Sequence, residues 1–95
     1  MVNDTKVTRT EVYSAINEER DYQDSKWSPE FDDSKWSVGD WLIFIQRYVN
    51  EAESKLGYPG ALDSIRKIAG LAVACMEYNG APRRKDTPPL FSGNR

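Results

Sequence analysis

The sequence predicts an all-α protein in which a short polar helix and a loop precede a long antiparallel helical hairpin. Two capping-box patterns, at residues 8–11 and 37–40, place a hydroxyl three positions before a carboxylate and indicate two helix starts. Apolar residues then recur at spacings of three and four, first after residue 40 and again after a turn at residues 57–60. A chain of 95 residues forms one domain and buries little surface, so we expect oligomerisation to complete its core.

The first helix is predicted to span residues 9–26, after a flexible N-terminus of residues 1–8. Thr8 is its N-cap and Glu11 is its capping carboxylate. Val12 and Ile16 provide only a thin apolar stripe, and residues 18–21 are all charged. A helix with this pattern is mostly exposed or lines a polar site.

The loop before the second helix begins near Pro29, which disfavours helical geometry in the residue before it. It ends at the second capping box, in which Ser37 is the N-cap and Asp40 replaces the usual glutamate. The second helix is predicted over residues 38–56. Trp36 precedes the N-cap, and an apolar residue at that position packs on N4, which is Trp41.

The second helix carries two adjacent apolar stripes. The predicted core stripe comprises Leu42, Ile45, Val49, Ala52 and Leu56. An aromatic stripe beside it comprises Trp41, Phe44 and Tyr48. The two stripes together cover more of the helix than one small partner helix hides, which favours burial against a second chain.

The third helix is predicted to begin at residue 59 or 61 and to end at Gly80, a residue type that suits a helix C-terminus. Its core stripe comprises Leu62, Ile65, Ala69, Ala72 and Met76, widened by Ile68, Leu71 and Cys75. Cys75 is therefore interpreted as a small core residue. Residues 9–80 form a single helical domain, and residues 81–95 form a proline-rich basic arm. Residues 88–91 of this arm either dock on a neighbouring subunit or are disordered.

The composition excludes several kinds of site and partner. One cysteine and no histidine leave no internal disulfide and no structural zinc, so we expect a homo-oligomer, in which a partner subunit stabilises the small domain. No run of 18 apolar residues occurs, which predicts no membrane span, and the N-terminus lacks an apolar signal core, which predicts a cytoplasmic protein. Residues 18–40 hold eight acidic against three basic residues, which argues against duplex DNA as a partner.

Carboxylates on helices are the remaining chemical candidates, because the sequence has no glycine-rich phosphate loop and no histidine for a general base. Such carboxylates hold magnesium when they face one another in a helical bundle. The candidate acids on the predicted helices are Glu18, Glu19, Asp40, Glu51, Glu53, Asp63 and Glu77. Each of them alone is more typical of a solvated surface group.

The stretch NEERDYQDSKW at residues 17–27 places Gln23 and then Lys26-Trp27 after Glu19-Arg20. An acidic pair at residues 32–33, a tryptophan-led helix and a final helix rich in alanine and valine follow it. This order, over about residues 10–80, resembles the MazG-like proteins of bacteria and phages. These proteins are relatives of the all-α nucleoside triphosphate pyrophosphohydrolases.

The resemblance implies helices that associate as a dimer or tetramer around a magnesium and nucleotide site. The candidate ligand-binding residues are Arg20, Gln23, Lys26, Trp27, Arg83 and Arg84. The first four belong to the shared stretch, and the two arginines of the arm could hold phosphates from a neighbouring subunit. Trp27 and Trp41 also suit a purely structural role as core anchors at helix ends.

The sequence departs from the catalytic relatives at their acidic motifs. Where the enzymes carry Glu-Glu-x-x-Glu, this chain has RYVNE at residues 47–51, so only Glu51 matches and Arg47 stands in place of an acid. Asp63 lies near the expected acidic pair of the third helix, but cations at residues 66 and 67 surround it. Because a cation repels a metal ion, the expected function is that of a non-catalytic MazG-like phage protein that binds a nucleotide or a host protein.

Two alternatives remain open at this point. One is an active magnesium-dependent nucleoside triphosphate pyrophosphohydrolase, with Glu18, Glu19, Glu51 and Asp63 as the catalytic candidates. The other is a phage inhibitor of a host defence protein, which acts through its acidic surface in the host cytoplasm. Magnesium is the only cofactor that we expect, and only if the chain is catalytic.

Overall fold

Three helices make up the described part of the protein in its computed structural model: α1 (Arg9–Lys26), α2 (Val38–Ser54) and α3 (Gly60–Asn79). The structure describes residues 6–26, 35–58 and 60–85, and these ranges contain no strand. Both α1 and α2 pack against α3, which is therefore the central helix. The all-α fold with a helical hairpin is confirmed, whereas the predictions for Trp27, residues 28–34 and residues 88–91 fall outside the described residues.

The helix starts follow the predicted capping boxes. The Thr8 hydroxyl accepts a hydrogen bond from the backbone N–H of Glu11 at 3.1 Å, and Glu11 Oε1 accepts one from the backbone N–H of Thr8 at 2.9 Å. The bond from the Thr8 backbone, and then a second bond from the Thr8 hydroxyl to Glu11 Oε1 at 2.9 Å, stabilise the charged carboxylate and lower the pKa of Glu11. Ser37 and Asp40 form the same reciprocal pair at the start of α2.

The helix bounds differ from the predictions at α2, which stops at Ser54 rather than residue 56, and at α3, which begins at Gly60 rather than at residue 59 or 61. The backbone N–H of Lys55 turns back to the carbonyl of Ala52, which closes the helix with a tighter turn. Gly57 then adopts a φ of 85°, a left-handed conformation that favours glycine. No helix in the described part of the chain is long and apolar enough to cross a membrane.

The core forms between the aromatic stripe of α2 and the middle of α3. Trp41 is fully buried and contacts Leu71 and Ala74, which are also buried. Trp36 lies on Trp41 with ring centroids 4.8 Å apart, which confirms the predicted staple. Cys75 packs at the edge of this cluster, as a small core residue should.

Several members of the predicted core stripes are instead exposed, so that part of the prediction is wrong. They are Leu42 and Leu56 of α2 and Leu62, Ile65 and Met76 of α3, and Leu62 is 78% exposed. A helix can turn only one side toward its neighbour, and the aromatic stripe offers the larger area for burial. Three of them, Leu56, Leu62 and Ile65, line a groove of about 380 Å³ between α2 and α3, and Leu42 and Met76 belong to the same two stripes. We call this surface the apolar face.

Candidate functional site

The junction between α1 and α3 is polar. The three buried residues of α1 are Glu19, Arg20 and Gln23. Glu19 Oε1 accepts a hydrogen bond from Arg66 Nε of α3 at 2.8 Å, and the same arginine donates to Asp63. Of these three groups only Glu19 is buried, and its pairing with Arg66 within hydrogen-bond distance offsets the cost of removing its carboxylate from water.

Gln23 lies at the centre of this junction and is only 8% exposed. Its Nε2 donates to Glu19 Oε2 at 3.3 Å and to the backbone carbonyl of Lys67 at 3.2 Å. The amide fits because residue 70 is a glycine: a Cβ there would lie 2.8 Å from Nε2 of Gln23. Gly70 thus allows α1 and α3 to approach each other at this point.

A cleft of about 300 Å³ opens between all three helices beside Gln23, and we call it the three-helix cleft. Its lining residues are Glu19, Tyr22, Gln23, Lys26, Phe44, Tyr48, Lys67 and Leu71. Lys26 Nζ lies 5.4 Å from the centroid of the Tyr22 ring, and Lys67 Nζ lies 5.8 Å from that of Tyr48. The cleft therefore combines aromatic rings with two ammonium groups.

A second, more open cleft lies on the other side of Tyr22. It has a volume of about 490 Å³, and its lining residues are Ala15, Glu18, Glu19, Tyr22, Arg66 and Lys67. It shares Glu19, Tyr22 and Lys67 with the three-helix cleft, so the two form adjoining parts of one surface. We call it the polar cleft.

The predicted ligand-binding residues divide into two groups in the structure. Gln23 and Lys26 come together in the three-helix cleft. Arg20 is buried instead, where Nε bonds to Glu77 of α3 and Nη1 bonds to Asp24. It acts as a structural link between α1 and α3.

Two of the remaining predicted ligand-binding residues, Arg83 and Arg84, are not among the described residues that line the three-helix cleft. Arg83 and Arg84 are exposed and follow the end of α3. Trp27 lies outside the described residues, so its proposed contact with a ligand stays a prediction.

The four candidate catalytic acids do not converge. Glu18 and Glu19 line the polar cleft, and Asp63 is connected to Glu19 through Arg66. Glu51 lies on α2 and is bonded to Lys55 Nζ at 2.8 Å. This hydrogen bond from Lys55 is the main cause that lowers the pKa of Glu51.

These acids do not fit a magnesium ion. Magnesium needs oxygen ligands grouped around one point. Glu19 and Asp63 share an arginine, and Glu51 is held by a lysine, so the nearest charge to each is already a protein cation. Within the described ranges, no group of three or more Asp, Glu, Cys or His side chains could hold a metal ion.

Three cleft residues were not found by sequence reasoning: Tyr22, Tyr48 and Lys67. Tyr22 could have been found, because it lies four residues before Lys26 and shares its side of α1. Tyr48 was assigned to the aromatic stripe, and Lys67 was considered only as a neighbour of Asp63. Their meeting depends on how three helices pack, which no local pattern reports.

No family model, curated protein or solved structure matches the chain.

Proposed function

We propose that the chain is a non-catalytic, MazG-like nucleotide-binding protein of phage origin that acts in the cytoplasm. In this proposal a nucleotide lies in the three-helix cleft, with its base against the aromatic side chains and its phosphates toward the lysines. The observation that carries the proposal is the placement of Lys26 and Lys67 beside the rings of Tyr22 and Tyr48.

The chemistry of the cleft suits a ligand with a flat ring and a negative group. Stacking of a base on an aromatic side chain contributes about 1–3 kcal/mol and tolerates different bases. A lysine ammonium is a compact charge that attracts phosphate oxygens. The volume of about 300 Å³ lies at the small end of the range for ligand pockets, which favours a mononucleotide.

The pairing of the acids supports binding without hydrolysis. Hydrolysis in the related enzymes needs several carboxylates that are available to magnesium. Here Glu19, Glu51 and Asp63 are each bonded to an arginine or a lysine. Exposure of Arg47 on α2 adds a further cation where the enzymes carry an acid.

The proposal is tested by thermal denaturation with a panel of nucleoside mono-, di- and triphosphates, with and without magnesium. A ligand that binds the folded state at 100 times its Kd stabilises it by about 2.7 kcal/mol, which raises the Tm measurably. Lys67→Met and Tyr48→Leu should reduce the rise. Lys6→Met and Tyr58→Leu are matched controls, because both residues are exposed and neither lines the cleft.

Release of pyrophosphate is measured in the same reactions. We expect none above the background without protein. Magnesium-dependent turnover that Glu19→Gln or Glu51→Gln abolishes would contradict the proposal and establish the pyrophosphohydrolase alternative. A flat Tm across the whole panel would reject nucleotide binding and favour a host protein as the partner.

We further propose that the apolar face joins two copies of the chain into a homodimer. α2 and α3 contain 17 and 20 residues, which gives lengths of about 25–30 Å at 1.5 Å per residue. Two such helices packed side by side present a projected area of about 500 Å². Each partner in a stable interface buries about 800 Å², which is of the same order.

Self-association explains the composition of this face better than exposure to water does. Large exposed side chains such as Leu56 and Leu62 stand beside the smaller Ala61 around the groove, and the lining contains only one charged residue, Glu53. A face of this size falls in the range of the largest apolar patch on a typical monomer, and such patches are often functional. The dimer would bury the two stripes that the sequence marks as core.

A further inference from the structure

Within the three-helix cleft, the amide of Gln23 has one polar atom without a partner. Oε1 of Gln23 is buried and accepts no hydrogen bond from any part of the chain that the structure describes. An unsatisfied buried acceptor destabilises a fold, so its persistence calls for a functional or solvent explanation.

The orientation of this amide follows from its neighbours. Nε2 faces Glu19 Oε2 and the carbonyl oxygen of Lys67, and both of these atoms can only accept a hydrogen bond. The NH₂ group must therefore face them, because a flipped amide would place Oε1 against a carboxylate. The amide lies directly against Gly70, where a Cβ would come within 2.8 Å of Nε2. Both N–H groups of the amide are therefore used, and Oε1 is the one hydrogen-bonding atom that remains for a ligand.

We propose that Gln23 Oε1 determines ligand specificity by accepting a hydrogen bond from the exocyclic amino group of a nucleotide base. This inference rests on the proposed function and names the class of nucleotide: adenine, cytosine or guanine nucleotides rather than uracil or thymine nucleotides. The amide has no free donor, so a base edge with carbonyl groups on both sides of its N–H gains less from it.

Oε1 of Gln23 is closed to solvent in this structure, so the proposal requires it to become accessible when a ligand enters the cleft. Gln23 lines the cleft, and its neighbours Tyr22 and Lys26 are exposed side chains. Long exposed side chains change rotamer on a fast timescale, so they can turn aside as a ligand enters. Tyr22 and Gln23 both line the cleft, so a base that stacks on Tyr22 would lie in the same cavity as the amide.

The test compares nucleotides that differ only in the amino group. The probes are AMP with purine riboside 5′-monophosphate, CMP with its 4-deamino analogue, and GMP with IMP, each titrated calorimetrically. The amino nucleotide of the pair that binds best should have an affinity about tenfold higher than its deamino partner, the effect of one hydrogen bond to a buried group. Affinities within about twofold in all three pairs would overturn the inference while leaving nucleotide binding intact.

A variant separates a specificity role from a structural one. Gln23→Met keeps the length of the side chain and removes both amide atoms, so it should bind the two members of the pair with equal affinity. A role limited to holding α1 in place would weaken both ligands alike and preserve their ratio, which would overturn the inference. If Gln23→Met does not fold, the affinities of the amino and deamino nucleotides for the wild-type protein still test the inference. If no nucleotide binds at all, the proposed function fails, and the inference fails with it.

Discussion

Gly70→Ala should destabilise the protein, although alanine is the better helix former. A methyl group at residue 70 would lie 2.8 Å from Nε2 of Gln23 and 3.1 Å from its Cδ and Oε1, so the amide must move away. The movement breaks the hydrogen bonds to Glu19 Oε2 and the Lys67 carbonyl, at about 0.5–1.5 kcal/mol each. The gain in helix propensity offsets about 1 kcal/mol. The expected net loss is therefore up to about 2 kcal/mol.

The same substitution made in a Gln23→Ala background should have the opposite sign. With the amide gone, the methyl group meets no obstacle and the propensity gain of about 1 kcal/mol remains. Urea denaturation at a fixed chain concentration measures all four proteins of this cycle, and the coupling should be about 1–3 kcal/mol. Gly39→Ala is the control, since its Cβ would meet only Ser37 Oγ at an ordinary 3.7 Å. Equal effects of Gly70→Ala in both backgrounds would refute the contact between Gly70 and Gln23.

Three further results are expected. Arg20→Met should lower the free energy of unfolding by about 1–2 kcal/mol in urea denaturation, because it removes two charge-assisted hydrogen bonds from a buried guanidinium, while the two carboxylates, each more than half exposed, regain water. A loss below about 0.5 kcal/mol would contradict this. The lowered folded-state pKa of Glu11 means that its capping interaction stabilises the protein above the ordinary glutamate pKa and is lost as the pH falls through the lowered value. Glu11→Gln should therefore reduce the fall in the free energy of unfolding at acid pH, measured by urea denaturation at successive pH values. An unchanged slope would contradict a contribution from Glu11. Leu62→Gln with Ile65→Gln should convert a dimer into a monomer in sedimentation, whereas Val12→Gln on α1 should not; a wild-type chain that sediments as a monomer would rule out the interface.

The helix limits could be predicted because they depend on local chemistry. The hydroxyls of Thr8 and Ser37 and the carboxylates three residues later form hydrogen bonds within one turn of chain. Gly80 ends α3 with a φ of 112°, which the residue type itself allows. Signals of this kind do not depend on which other helix lies nearby.

The choice of buried face could not be predicted, because both sides of the hairpin helices are apolar. Periodicity identifies a stripe but not the helix that it contacts. Trp41 decides the outcome, since its ring stacks on Tyr78 at a centroid distance of 6.4 Å and also packs on Trp36. Ser64 is fully buried on the inner side of α3, and a serine or a glycine in a helix gives no sign of burial.

The candidate cleft was only half predictable for a similar reason. Gln23 and Lys26 lie on one helix and share its face, so their spacing already associates them. Tyr48 and Lys67 reach the same place from two other helices, and residues from separate elements are connected only by the packing of the whole domain.

The polar attachment of α1 has a consequence for how the molecule opens. α2 is held to α3 by an apolar core, which salt strengthens, whereas α1 is held by ion pairs from Arg20 and Arg66. Concentrated salt should therefore loosen one helix and tighten the other, and the amide protons of α1 should exchange with deuterium before those of α3. A nucleotide bound in the three-helix cleft would contact α1 as well as α2 and α3. Ligand binding would then hold α1 against the other two helices and slow its local opening.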